Sequence, residues 1–73
     1  MKTVGTFAPR PGQGKLTYEA WTVEPDIGGC RWMARCPEKR IETGPCPSEQ
    51  AAVISLGMQV DIAIEREKRE GKQ

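Results

Sequence analysis

One long stretch with helical periodicity limits the folds open to this chain. It runs from about Pro47 to Arg69, and the other ordered-looking pieces are short and rich in strand formers. Proline fits the first position of a helix, and Glu49 suits the positive end of the helix dipole. Ser48 could instead be the N-cap, which would move the start by one residue. The sequence therefore predicts one long C-terminal helix against which the remaining elements must pack.

The apolar residues of this helix separate into two stripes when they are placed at about 100° per residue. The first stripe consists of Val53, Leu56, Val60, Ala63 and Ile64, with Gly57 at its edge. The second, on nearly the opposite side, consists of Ala51, Ile54, Met58 and Ile62. Close approach of the helix to the sheet would explain a glycine at position 57, which costs about 1 kcal/mol relative to alanine.

A single helix on a small sheet buries only one side, so the second stripe needs its own explanation. A curled sheet or the N-terminal segment could cover Ile54, Met58 and Ile62, since isolated surface apolar residues are normal. Alternatively these residues face a partner protein or form a homodimer seam. We favour the second interpretation, because helix-in-groove recognition uses this i, i+4, i+8 spacing.

Three strand-like pieces precede the helix. They are residues 15–23, 30–36 and 40–43, separated by turn signals at Glu24-Pro25-Asp26 with Gly28-Gly29 and at Pro37, and closed by Gly44-Pro45. The fold class expected is α+β, with a three-stranded antiparallel sheet packed by one long C-terminal helix.

Period-two alternation predicts the register of the first hairpin. Trp21 should lie opposite Met33, and Glu19 opposite Arg35. The face that meets the helix should carry Leu16, Tyr18, Ala20 and Thr22 of one strand and Cys30, Trp32, Ala34 and Cys36 of the next.

The opposite face of this hairpin is a second candidate binding surface. It should carry Trp21, Val23, Arg31, Met33 and Arg35. An exposed tryptophan flanked by arginines has the composition of a protein–protein hot spot. The same side chains could stack a nucleic-acid base and meet phosphate, or the stems of Lys15 and the arginines could simply shield the ring.

The two ends of the chain are expected to lie outside the domain. Residues 1–14 contain five glycines and prolines and little apolar periodicity, which predicts a flexible arm before a single domain over 15–69. Val4 and Phe7 are exceptions that could dock on the domain or on a partner. Residues 70–73 are expected to form a disordered tail.

Length and charge exclude several classes. A chain of 73 residues is long enough for one small domain only. A formal net charge of +1 argues against strong non-specific binding to nucleic acid. Neither a membrane-spanning run nor an apolar secretory signal is evident. Three cysteines are too few for a secreted disulfide framework, which favours reduced thiols in a cytoplasm.

No catalytic or cofactor-binding pattern is found. The sequence contains no histidine and no phosphate-binding glycine loop. Cys30, Cys36 and Cys46 supply one ligand fewer than the four of most structural zinc sites, and Cys30 and Cys36 should lie about 20 Å apart along one strand. We expect a non-enzymatic protein with no cofactor, no metal and no small-molecule substrate.

Part of the chain resembles HicB-type antitoxins. The resemblance rests on the stretch from Gly28 to Glu38 (GGCRWMARCPE), on Thr43-Gly44 and on the helix start Pro47-Ser48-Glu49-Gln50-Ala51. It covers about half of the chain, and departs from the family where a Pro-Gly-Cys usually precedes the third strand. The resemblance implies a β-β-β-α half of an RNase H-like fold and, by function, the neutralisation of a small bacterial protein.

In size and general character the whole chain also resembles small early regulatory proteins of lytic Xanthomonas phages. That resemblance implies binding to the β′ subunit of host RNA polymerase, inhibition of σ-dependent initiation and antitermination, in the host bacterial cytoplasm. It is the leading expectation for function. An antitoxin-like or anti-defence protein is the first alternative, and a small nucleic-acid-binding module the second.

Overall fold

The computed structural model describes residues 2–24 and 31–71, and within them the protein is α+β. A four-stranded antiparallel sheet in the order β1-β2-β3-β4 is followed by one C-terminal helix. The elements are β1 (Lys2–Thr6), β2 (Thr17–Val23), β3 (Arg31–Cys36), β4 (Ile41–Cys46) and α1 (Glu49–Glu70). The expected class is confirmed, but the sheet has four strands instead of three.

The additional strand is β1, which the sequence analysis placed in a flexible arm. It pairs antiparallel with β2, so that Thr3 lies opposite Ala20 and Gly5 opposite Tyr18. The Tyr18 ring lies directly over Gly5, where a Cβ would come within 2.3 Å of the ring. Gly5 is therefore a packing residue of an edge strand, whereas the sequence had suggested that it belongs to a flexible arm.

The register predicted for the central hairpin is confirmed where the structure describes it. Glu19 lies opposite Arg35, Ala20 opposite Ala34, and Trp21 opposite Met33. Cys30 and the turn expected at residues 25–29 lie outside the described residues. Alternation along two extended strands was thus enough to assign the two faces of β2 and β3.

Strand β4 extends further than the sequence indicated. It begins at Ile41 and continues through Gly44 and Pro45 to Cys46, with a register shift against β3 between Trp32 and Ala34. A proline without an N–H is tolerated because β4 is an edge strand. Arg40, which was expected in this strand, belongs to the preceding turn and has a positive φ of 57°.

The helix begins after Ser48, as the alternative start predicted. The Ser48 hydroxyl accepts a hydrogen bond from the Ala51 N–H at 3.1 Å, and thereby satisfies one of the free amides of the first turn. At the other end the Gly71 N–H donates to the Glu67 carbonyl at 2.8 Å. The helix therefore reaches Glu70, the first residue of the expected tail.

The core lies between α1 and the sheet. The helix packs chiefly on β3 and β4, and less on β2. Small side chains at the centre of the sheet, such as Ala20 and Ala34, let the helix approach. The buried apolar residues are Leu16, Ala20, Ala34 and Cys36 from the sheet side and Ala52, Leu56, Val60 and Ile64 from the helix. The first predicted stripe is confirmed as the core-facing one.

The segment between β1 and β2 folds back onto the helix. The Phe7 N–H donates to the Leu16 carbonyl at 2.8 Å, and the Phe7 ring stands 5.1 Å from that of Tyr18. The Arg10 guanidinium lies over the Phe7 ring and its Nε donates to Asp61 Oδ1 at 2.9 Å. Phe7 thus docks on the domain, whereas Val4 on β1 remains 66% exposed.

Candidate protein-binding surface

The second stripe of the helix is open to solvent. Ile54 is 58% exposed, Met58 62% and Ile62 47%, while Ala51 is half-buried. Neither the sheet nor the segment around Phe7 covers these side chains, so the interpretation in which the domain covers them itself is wrong. Their i, i+4, i+8 spacing aligns three large apolar groups on the outward face of one rigid element.

Two shallow grooves flank the helix, and the stripe connects them. One groove is lined by Tyr18, Glu49, Gln50, Val53 and Ile54. The other is lined by Ile41, Gln59, Ile62, Ala63, Arg66 and Glu67. Because Ile54 belongs to the first groove and Ile62 to the second, the apolar surface runs obliquely across the helix from one groove to the other. A partner lying along it would contact more than three side chains.

Charge is distributed unevenly along this helix. Residues 50–60 contain no charged side chain, whereas seven charged side chains follow between Asp61 and Glu70. Two of the acidic groups are already paired with the rest of the domain, Asp61 with Arg10 at 2.9 Å and Glu67 with Lys39 at 2.8 Å. A partner that covers the stripe therefore desolvates few unpaired charges, which keeps the cost of binding low.

The open face of the sheet is the second surface that the sequence singled out. The structure places Trp21, Arg31, Met33 and Arg35 on this face, across the sheet from the helix. The two arginines are exposed, but the side chains of Trp21 and Met33 are only half-exposed. The two groups of predicted site residues thus lie on opposite sides of the molecule and form separate surfaces.

Several charged side chains on this sheet face are already paired with one another. Glu19 contacts Lys2 at 3.4 Å and Arg35 at 3.0 Å. Partial burial raises the pKa of Glu19, but hydrogen bonds and charge from Lys2 and Arg35 outweigh it, so that this pKa lies below its ordinary value. Arg35 is therefore committed to a carboxylate, which leaves it less suited to bind a phosphate.

Val4 is an exposed residue of this face, although it was expected in a flexible arm, as a side chain that could dock on the domain or on a partner. It lies on β1 opposite Glu19. The alternation of Lys2, Val4 and Thr6 with Thr3 and Gly5 was the signal that could have placed it there.

A polar cluster at the start of β2 has a structural role. The Glu38 carboxylate accepts hydrogen bonds from the Thr17 N–H at 2.9 Å and from the Thr17 hydroxyl at 2.7 Å. These bonds lower the pKa of Glu38 and join the β3–β4 turn to β2. Burial raises the pKa of the neighbouring Cys36 thiol, which keeps it protonated and poorly nucleophilic at neutral pH.

Cys36 and Cys46 lie too far apart to form a common site. Cys36 lies opposite Ile41 and Cys46 opposite Trp32, so they stand at opposite ends of the β3–β4 ladder, and both are free thiols. Across residues 2–24 and 31–71, no group of three or more metal-ligating side chains is close enough to share an ion. Within the same residues α1 is too polar to cross a membrane.

No protein-family model matches the chain, and no curated protein and no solved structure is significantly similar to it.

Proposed function

We propose that this protein is a non-catalytic regulator that binds a larger protein through the Ile54-Met58-Ile62 stripe, and that its partner is bacterial RNA polymerase. The observation that carries the proposal is the alignment of these three large apolar side chains, each about half exposed or more, on one helix face. When a partner removes exposed apolar surface of this kind from water, the burial stabilises the complex.

The stripe is a better binding surface than the open sheet face. Burying the rest of a half-covered side chain such as Trp21 or Met33 removes less apolar area from water than covering Met58 does. Arg35 would also have to leave Glu19 before it could pair with a partner group. We therefore assign the primary contact to the helix and a secondary role to the sheet face.

The proposed mechanism needs no chemistry in this chain. A protein that binds one arrangement of a larger machine more tightly than another shifts the machine toward the first arrangement. We propose that the helix contacts the β′ subunit of the polymerase. Bound there, it would hold the polymerase in an arrangement that cannot start σ-dependent transcription. The same contact, kept during elongation, would serve antitermination.

The test uses two variants that make the same kind of change on opposite surfaces. Met58→Glu and Val4→Glu each replace an apolar side chain, 62% and 66% exposed respectively, by a carboxylate. We expect the native protein and Val4→Glu to retain polymerase from a bacterial lysate and to inhibit σ-dependent transcription in vitro. Met58→Glu should lose both activities while keeping the native circular dichroism spectrum.

Two results would contradict the proposal. If purified polymerase neither binds the native protein nor changes its initiation rate when the protein is in excess, the partner is wrong. If Val4→Glu abolishes binding and Met58→Glu does not, the surface is wrong, and the contact belongs to the sheet face.

A second candidate is an antitoxin-like or anti-defence protein that neutralises a small bacterial protein. What favours it is the element order β2-β3-β4-α1, which is the β-β-β-α order implied by the HicB resemblance. Recovery of a small basic RNase from the same lysate, in place of polymerase, would select this candidate.

Direct nucleic-acid binding is the least favoured function, because Glu19 neutralises charge beside Trp21 on the sheet face. Such binding would appear at low salt and weaken steeply as salt is raised.

A further inference from the structure

We infer that the outer edge of β1, with the groove between β1 and the start of α1, binds an extended segment of a partner protein. The segment adds to the sheet as a fifth, antiparallel strand. The inference goes beyond the proposed function, because it needs neither polymerase nor the side chain of Met58. It rests on the outward backbone groups of β1, on the space that the helix leaves beside this strand, and on the charge there.

Every second residue of β1 turns its backbone N–H and C=O away from the sheet. The Phe7 N–H donates to the Leu16 carbonyl at 2.8 Å, which makes this pair a hydrogen-bonded position of the antiparallel ladder. Such positions alternate with positions whose backbone groups point outward. The outward groups of β1 therefore belong to Lys2, Val4 and Thr6, and they have no hydrogen-bond partner among the described residues.

Strand β2 confirms this assignment independently. Thr17 lies opposite Thr6, and its N–H donates to Glu38 Oε1 at 2.9 Å instead of to β1. The backbone groups of this pair thus face away from each other. Outward groups recur along β1 about every 6.8 Å, the repeat of two residues in a strand. An extended polypeptide has the same repeat of donors and acceptors, so it is the occupant that satisfies this edge.

The opposite edge of the sheet does not offer the same row of groups. Strand β4 contains Pro45, which has no N–H, and its register against β3 shifts between Trp32 and Ala34. Both features hinder the addition of a strand. Strand β1 contains no proline and pairs with β2 without a register shift. It is therefore the edge that remains open to a further strand.

The helix leaves an open space beside β1. Within residues 2–24 and 31–71, α1 contacts β2, β3 and β4 but not β1. The groove that Val53 and Ile54 line is found here, since the Tyr18 ring of the same groove lies over Gly5. Its volume is about 440 Å³, in the range of ligand-binding clefts. Alternate side chains of an added strand would point into this groove.

Glu49 gives the groove a preference for a basic side chain. It is the charged residue that lines the groove, it is half-buried, and in the described part of the chain no ion pair holds its carboxylate. Phe7 follows β1 and lies against Gly57, so the start of α1 lies toward the start of β1. An antiparallel strand would therefore bring an arginine or lysine near its C-terminal end to Glu49.

A blocked hexapeptide, acetyl-TVTVTR-amide, is the probe. Its valines and arginine share the face that enters the groove, and its threonines share the face of Val4. Titrated into isotope-labelled protein, it should move the amide resonances of Val4 and Thr6 and saturate on the order of 1 mM. N-methylation of the threonine amides should weaken binding about tenfold, because in an antiparallel pair these amides face β1. N-methylation of the valine amides should not weaken it.

Variants of the protein test the same contacts. Val4→Pro removes an outward N–H and spares the pairing with β2, so it should keep the native circular dichroism spectrum and bind about tenfold more weakly. Val4→Ala keeps this N–H and should bind like the native chain. Glu49→Gln should weaken binding about threefold. The matched change Glu65→Gln, at an exposed position outside the groove, should have no effect.

The outcomes distinguish this inference from the proposed function. Met58→Glu should lose polymerase but bind the peptide like the native chain; if it loses the peptide too, the peptide lies on the stripe and the inference is wrong. No saturation at about 5 mM, or equal losses from both N-methylated peptides, would also overturn it. So would a native dimer that Val4→Pro makes monomeric in sedimentation equilibrium, since a second copy would then fill the edge. Failure of polymerase to bind leaves the peptide results unaffected.

Discussion

The Phe7 ring lies against Gly57 of the helix, and a Cβ at position 57 would stand 3.6 Å from the Phe7 Cε1 atom. That is an ordinary van der Waals distance. The helix therefore has room for one methyl group at this position but not for a long side chain. The residue that limits the size of a side chain at position 57 is Phe7, which lies in the β1–β2 connection. The sequence had instead suggested that the sheet would approach the helix at this glycine.

Gly57→Ala should stabilise the protein. Alanine is favoured over glycine in a helix interior by about 1 kcal/mol, and here its methyl group meets no obstacle. Gly57→Leu should be destabilising, because it displaces Phe7 from its contact with Tyr18. Urea unfolding followed by circular dichroism measures both changes. A destabilising Gly57→Ala would mean that the Phe7 contact is tighter than the structure has it.

Gly5→Ala should destabilise the protein by roughly 1–3 kcal/mol, the usual cost of forcing extra volume into a packed site. The new Cβ would come within 2.3 Å of the Tyr18 ring, which could move only by leaving Phe7. Gly14→Ala is the matched control, since no atom lies within 4 Å of its Cβ position. Equal unfolding midpoints for the two variants would contradict the pairing of β1 with β2.

The two stripes of the helix should respond differently to truncation. Leu56 is fully buried, so Leu56→Ala should cost about 2–5 kcal/mol, a large share of the stability of so small a domain. Met58→Ala should change stability by no more than about 0.5 kcal/mol, because its side chain is 62% exposed. Chemical unfolding of both variants at low protein concentration gives the comparison. A similar loss for both would place Met58 in a core.

Stability should depend on the ionisation of Glu38. Its folded-state pKa lies below the ordinary value of 4.5, so its stabilisation is present above that value and is lost as the pH falls through the folded-state pKa. Glu38→Gln should therefore reduce the free energy of unfolding most at neutral pH, and the deficit should shrink below about pH 4. Urea titrations between pH 7 and pH 3 measure the difference.

Thr17→Val is the matched variant for this prediction. It removes the hydroxyl donor to Glu38 and keeps the backbone N–H donor, so it should show a smaller loss with the same pH trend. A deficit in Glu38→Gln that does not change with pH would show that the carboxylate charge contributes nothing there.

The sequence was most informative where two independent signals coincided. Alternation placed Trp21 and Met33 on the same face of the sheet. The register that sets them opposite each other was chosen because it also sets Glu19 opposite Arg35, a favourable pair of opposite charges. The two stripes of the helix were separable because 3.6 residues per turn keeps Leu56 and Met58 on opposite sides.

Strand β1 and the end of β4 were missed because glycine and proline, which usually indicate turns or flexible segments, lie inside strands here. Gly5 and Gly44 lie in strands where a neighbouring side chain, Tyr18 or Met33, occupies the space of a Cβ. Pro45 is accommodated because nothing pairs with the outer edge of β4 in the described parts of the chain. These roles depend on cross-strand neighbours, and local composition carries no information about them.

The order of the strands in the sheet is also their order along the chain, and that bears on how quickly the protein folds. Each strand pairs with the one made just before it, so that closing each hairpin costs little chain entropy. Folds dominated by such near-neighbour contacts cross their barriers fast. During synthesis the hairpins can form before the helix has left the ribosome. Their apolar face then stays exposed to solvent until Leu56 and Val60 can cover it. Until those residues emerge, the nascent sheet is the part of this chain most prone to aggregate.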